Sequence, residues 1–221
     1  MATAGFSRRR PQARREGSLA ELEALGRDAA RGAGLPWGLA EEAGGALRWL
    51  EARRLPGTAL TVAWLEARAE RAAAELTPEM RRDGWTAPAD RLCPYLTGAA
   101  IADRGDIELA LDAVAYPLLL APFVATAARI RARGLELAWD GGLVCLAVDG
   151  EGWRAEGPAL EADRAEAVSL HPASAAVQPG RPKPRRPELP VTLWDKLAAL
   201  ARRGRAPEPA DDDGGGGDGA G

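Results

Sequence analysis

The stretch Arg31-Gly-Ala-Gly-Leu-Pro-Trp-Gly-Leu-Ala-Glu-Glu-Ala-Gly-Gly-Ala-Leu-Arg-Trp-Leu50 puts glycines, a proline and two tryptophans at the joint between two helical runs, which leaves those runs few ways to pack. Ahead of it, Ser18-Leu-Ala-Glu21 is a capping box, in which a hydroxyl and a carboxylate satisfy the free amides at a helix start. Leu19, Leu22, Leu25 and Ala29 then recur at helical spacing, so the sequence predicts a helix from about Leu19 to Arg31, stopped by Gly32 and Gly34. Pro36 suits the first turn of a second helix, with the face Ala40, Ala43, Leu47 and Leu50, which ends before Leu55-Pro56-Gly57. Thr58 can cap a third helix through Leu76, terminated by Thr77-Pro78. Links this short imply an antiparallel helical unit over residues 17–77.

The next hundred residues change character. Residues 78–105 read as irregular, with Pro, Gly and Asp scattered through them. Ile107, Leu109 and Leu111 alternate as in a strand, with a helical reading left open, and Pro117 to Arg133 reads as a buried helix kinked at Pro122. Leu135, Leu137 and Trp139 alternate, Asp140-Gly141-Gly142 turns, and Val144, Leu146 and Val148 return, which is a β-hairpin pattern. Asp149-Gly-Glu-Gly152 makes a second turn toward a strand near Trp153, and Ala165 to His171 adds a fourth strand. The expected fold class is α+β: an N-terminal antiparallel helical unit, then an α+β portion over 78–178 in which a small antiparallel sheet carries one covering helix. Residues 179–190 read as a Pro-rich basic linker and 191–204 as a short amphipathic helix. The basic arm 1–16 and the acidic, Gly-rich tail 205–221 are expected to be disordered.

Composition narrows the function classes. With 221 residues, 46% of them hydrophobic, the chain can bury one substantial core. Cys93 and Cys145 match no metal-binding spacing and read as free buried thiols in a reducing compartment. No apolar run is long enough to span a bilayer, and the arginines near the start have no apolar stretch behind them, so a cytoplasmic location without membrane contact is expected. The net charge of −3 hides basic ends, Arg8 to Arg15 and Arg181 to Arg186, around an acidic body. Basic charge confined to flexible segments is a poor basis for nucleic-acid binding, which needs a shaped basic face.

The Ala-rich run from Ser18, the Arg31-Gly-Ala-Gly element, Trp37-Gly38, Glu41-Glu42 and Trp49-Leu50 together resemble an uncharacterised bacterial family, domain of unknown function 3726. The similarity is strongest over Ser18 to Leu50 and fades to scattered matches such as Pro117 to Phe123 and Trp139-Asp140-Gly141. No activity comes with it. The family's Gly-Ala-Gly-rich, Asp-terminated end is represented here by Ala206-Pro-Glu208 and Asp211 to Gly221, which has lost most of the pattern; any site formed there in relatives is expected to be missing.

The candidate ligand-binding residues are Arg31, Gly32, Gly34 and Trp37: a cation beside glycines that admit a carboxylate or phosphate, with a ring for stacking. The plainer alternative is a cationic helix end with a glycine cap. Glu41 and Glu42 are candidate acid/base groups, or carboxylates favoured by the helix dipole, and His171 is a third catalytic candidate or a structural side chain. As the sole histidine it excludes a two-histidine metal site, so neither metal nor cofactor is expected. The spacing predicts that Arg31, its glycines and Glu41 or Glu42 converge on one concavity. Two functions fit. The favoured one is a non-catalytic accessory or partner-binding protein of a metabolic enzyme or complex, which docks a protein partner, or a second copy of itself, through a Trp-bearing helical face around Trp37, Trp49 or Trp64. The alternative is a metal-independent small-molecule enzyme that binds an anionic metabolite between the helical unit and the sheet.

Overall fold

Ser18 sits at the start of α1 (Leu19–Gly32) with its hydroxyl accepting the Glu21 amide at 3.0 Å, as the capping box requires. In the computed structural model, which describes residues 12–68, 77–88, 90–178, 180–183 and 185–204, the Glu21 carboxylate pairs with Arg15, so only half of the box forms. Helix α2 (Trp37–Ala52) begins after Pro36, and α3 (Gly57–Arg68) follows a four-residue link. Thr58 does not cap α3 with its own oxygen; its amide and hydroxyl both donate to the buried Glu51 carboxylate of α2, at 2.9 and 2.7 Å. The rest of the expected third helix lies outside the described residues, as do 1–11 and 205–221 of the expected disordered ends.

Glycine sets how closely the helices approach. A Cβ on Gly44 would come within 2.5 Å of the Glu23 carbonyl, and one on Gly26 within 2.6 Å of Leu47, so α1 and α2 pack almost backbone to backbone. The last helix, α6 (Val191–Arg203), lies on α1 with Trp194, Leu197 and Leu200 buried. Trp194 covers Gly17, and its indole donates to the Arg15 carbonyl. Residues 14–16, expected in the disordered arm, form β1 (Arg14–Glu16), which pairs antiparallel with β11 (Glu188–Pro190) from the expected linker. Isolated, neither strand has a pairing signal, because each finds its partner at the other end of the chain.

The expected small antiparallel sheet is instead a seven-stranded mixed sheet in the order β2-β3-β4-β10-β6-β7-β8, and the α+β class holds. The hairpin β6 (Leu135–Trp139) and β7 (Gly142–Leu146) forms as read, with Gly141 at φ 73° in the turn. β8 is Trp153–Glu156, and β10 (Val168–Pro172) lies between β6 and β4 (Leu109–Leu111). β2 (Glu79–Met80) and β3 (Trp85–Thr86) extend the edge through one parallel pairing, Trp85 with Leu111. A short separate pair joins β5 (Val114–Ala115) to β9 (Arg164–Ala165).

Two further expectations change. The irregular region 78–105 contains α4 (Pro94–Arg104), capped by the Cys93 sulfur accepting the Leu96 amide and closed by Gly105 in a left-handed conformation. Pro122 does not kink a helix; it occupies the first turn of α5 (Ala121–Ile130), where its missing N–H has no consequence, after a 3₁₀ turn at Pro117–Leu120. α5 packs on β6, β7 and α4, while α2 contacts α4 and α5, so helices and sheet share one core.

Candidate functional site

The Arg31-Gly-Ala-Gly element is a packing junction. Arg31 is exposed and donates to the Leu35 carbonyl at 2.9 Å, closing its own loop. Gly32 admits the backbone of α6: a Cβ there would stand 1.8 Å from the Leu200 carbonyl oxygen, which only a hydrogen allows. Gly34 takes φ 87°, and the Ala33 carbonyl accepts from Arg68 of α3 at 2.6 Å. Trp37 is 55% exposed, flanked by Arg27 and Arg31, each 5.7 Å from its ring centre. Arg31 and Trp37 line a hollow of about 300 Å³ with Asp28 and Gly204, which neither glutamate joins. Convergence of Arg31 with Glu41 or Glu42 is therefore not observed, because α2 carries the glutamates to another face. Glu41 is exposed, and His171 is exposed on β10 opposite Glu136. Of the three candidate tryptophans, Trp64 is in the core, edge-on to Tyr95, Trp49 is half-buried, and Trp37 is exposed.

Glu42 lines a different hollow, of about 480 Å³, with Asp103, Trp49, Phe123 and Ile130. Partial burial raises its pKa first and the Asp103 carboxylate raises it further. This hollow shares Gly45 and Trp49 with a larger one farther along α2.

That larger groove, about 580 Å³, lies where α2 meets the β7–β8 turn and residues 181–183. Its centre is Arg53, whose side chain is 2% exposed. One terminal nitrogen donates to the Trp49 carbonyl at 3.1 Å, and the other to the Glu151 carbonyl and carboxylate at 3.0 and 2.8 Å. The guanidinium lies 3.7 Å from the Trp49 ring centre, and its Nε has no hydrogen-bond partner among the described residues. Burial holds the Arg53 pKa below its ordinary value, opposed by Glu151 and then Asp149. Asp149 organises the turn by accepting the amides of Glu151 and Gly152 at 2.9 and 3.0 Å. The groove continues past Arg53 into a hollow of about 240 Å³ with Arg54, Trp153, Lys183 and Arg185. Arg54 stands at φ 61°, in the left-handed position that follows a helix and is usually glycine, so an arginine is held there at some conformational cost.

Arg48 pairs with Glu23 at 2.7 Å and Arg53 with Glu151, which leaves Arg54, Arg181, Lys183 and Arg185 as an excess of positive charge along the groove. Such a surface attracts carboxylates and phosphates and offers two indole faces for stacking. Among the described residues, no group of three or more His, Cys, Asp and Glu side chains could hold a metal. Sequence reasoning missed this site because half of its cations lie in the segment read as a linker. The available signal was Arg53-Arg54 at the end of an amphipathic helix, with a second basic run downstream.

Fold and site together define an α+β protein with a basic groove where its helical unit meets its sheet. Residues 17–93 match the model of a family described as a protein of unknown function, DUF3726. The match covers α1 to α3 and runs to the cap of α4, so it includes Arg53 and Trp49 but neither Glu151 nor residues 181–185. No curated protein matches the chain. No helix among the described residues is long and apolar enough to cross a membrane.

Proposed function

We propose that this chain is a non-catalytic binding protein of the bacterial cytoplasm, which takes a carboxylate- or phosphate-bearing ligand, free or displayed on a partner protein, in the basic groove. The observation that carries the reading is the row of cations around Arg53: a buried guanidinium stacked on Trp49 and continuous with Arg54 and Lys183. The free, buried thiols Cys93 and Cys145 fit a reducing compartment. A thermal-shift screen of anionic metabolites and acidic peptides tests it, since a ligand of the native state raises the melting temperature. Hits should lose their effect in the doubly charge-reversed Arg54→Glu/Lys183→Glu variant, whose side chains contribute little to folding.

A second reading rests on Glu42. A carboxyl with raised pKa beside Asp103, in the hollow that adjoins the groove across Trp49, has the character of a general acid toward the far end of a bound anion. Under that reading Glu42→Gln preserves binding of a screened ligand and abolishes its turnover. Binding without turnover in the unmodified chain rules it out.

A further inference from the structure

Arg68 is a buried cation with no counter-ion among the described residues. At the last described position of α3 it is 8% exposed, lies 5.4 Å from the Trp64 ring centre and donates once, to the Ala33 carbonyl. Its Nε has no hydrogen-bond partner, and no carboxylate pairs with it among the described residues. Arg53, the comparable buried arginine, has Glu151. Burial lowers the pKa of Arg68, and the group opposing that shift is the Cys93 thiol, which burial itself pushes up to about 11 and so leaves neutral at pH 7. An isolated charge taken out of water is costly unless an anion completes it.

Space for that anion is present. Arg68, Trp64, Arg91, Leu92 and Tyr116 line a pocket of about 60 Å³. That is room enough for a small oxyanion group. Tyr116 is fixed there in a left-handed conformation, φ 46° and ψ 63°, which a bulky residue rarely adopts; its amide is held by the Asp163 carbonyl at 3.0 Å. Two neighbouring carboxylates among the described residues are already engaged: Asp90 is shared by Arg91 and Arg164, and Glu66 pairs with Lys196 at 2.9 Å.

We propose that this pocket is a second anion site, separate from the basic groove, which binds a single carboxylate or phosphate group through Arg68, Arg91 and Tyr116. The test titrates the full chain with inorganic phosphate and, separately, with acetate at constant ionic strength, reading the Arg68 Nε–H resonance and the melting temperature. At least one anion should shift that resonance saturably, and the one that does identifies the group. Arg91→Ala and Tyr116→Phe should each weaken it about tenfold, the usual effect of losing one charge-assisted hydrogen bond. Lys183→Glu, in the groove, should leave it unchanged. Arg68→Met should fold and lose the anion response; if it does not fold, the Arg91 and Tyr116 variants decide. Absence of a saturable shift with both anions, or equal affinity in Arg91→Ala, Tyr116→Phe and the unmodified chain, overturns the proposal. A failure of the groove to bind leaves this result intact.

Discussion

Gly32 and Arg53 show how differently two residues of one helical unit are used. Gly32 exists to let the Leu200 carbonyl approach α1, so Gly32→Ala must push two backbones apart and should cost about 2 kcal/mol or more, measured by urea unfolding. A change within about 0.5 kcal/mol, as at a surface site, would contradict that packing role and restore its reading as a ligand contact. Arg53 joins α2 to the β7–β8 turn through two hydrogen bonds to Glu151, with a third back to the Trp49 carbonyl of its own helix, and the same side chain lines the groove. Structure and site cannot be separated at this residue, which is why the groove is better probed at the exposed Lys183 and at Arg54.

Turns and caps decide the elements, and here the sequence is informative in proportion to how local the cause is. The Ser18 cap, the Asp140-Gly141 turn and the alternation of Leu135, Leu137 and Trp139 all act within a few residues, and each was legible. α4 was not, because its N-cap is a cysteine sulfur and its Thr97-Gly98 pair resembles loop sequence, although Gly98 is required where Phe123 of α5 packs against it. The β1–β11 ribbon and the parallel β3–β4 contact were hidden for another reason: their partners are distant in sequence. The Asp149 turn carries a pH dependence. Backbone amides, Gly152 foremost and then Glu151, Gly180 and its own, favour the ionised carboxylate and hold its pKa below the ordinary value, so its contribution is present above the unfolded-state pKa and is lost as pH falls through the lower, folded-state value. Asp149→Asn should therefore flatten the melting-temperature profile below about pH 4, the ordinary range for an aspartate. Identical acid profiles for the two proteins would contradict this.

At the scale of the whole molecule, the site arises where three separated segments meet: the end of α2, the β7–β8 turn and residues 181–185. Composition pointed away from it, since the chain is acidic overall and its basic runs read as unstructured ends. Folding places one of those runs against Arg53 and Arg54 and turns a dispersed charge into a shaped basic surface. The expected anion clamp, Arg31, stands at the opposite end of α1 and α2 from the groove, where its Gly-rich joint packs α1 against α6. Under the proposed function, anions bind at the groove and do so through its shape. Titration of isotope-labelled full chain with inorganic pyrophosphate at constant ionic strength, with the saturable shifts mapped by NMR, reads this out. Shifts are expected in the Trp49 and Trp153 indole signals and in the amides of Glu151, Gly152, Arg181 and Lys183, with none at Trp37. No saturable shifts, or shifts confined to Arg27, Arg31 and Trp37, would contradict it.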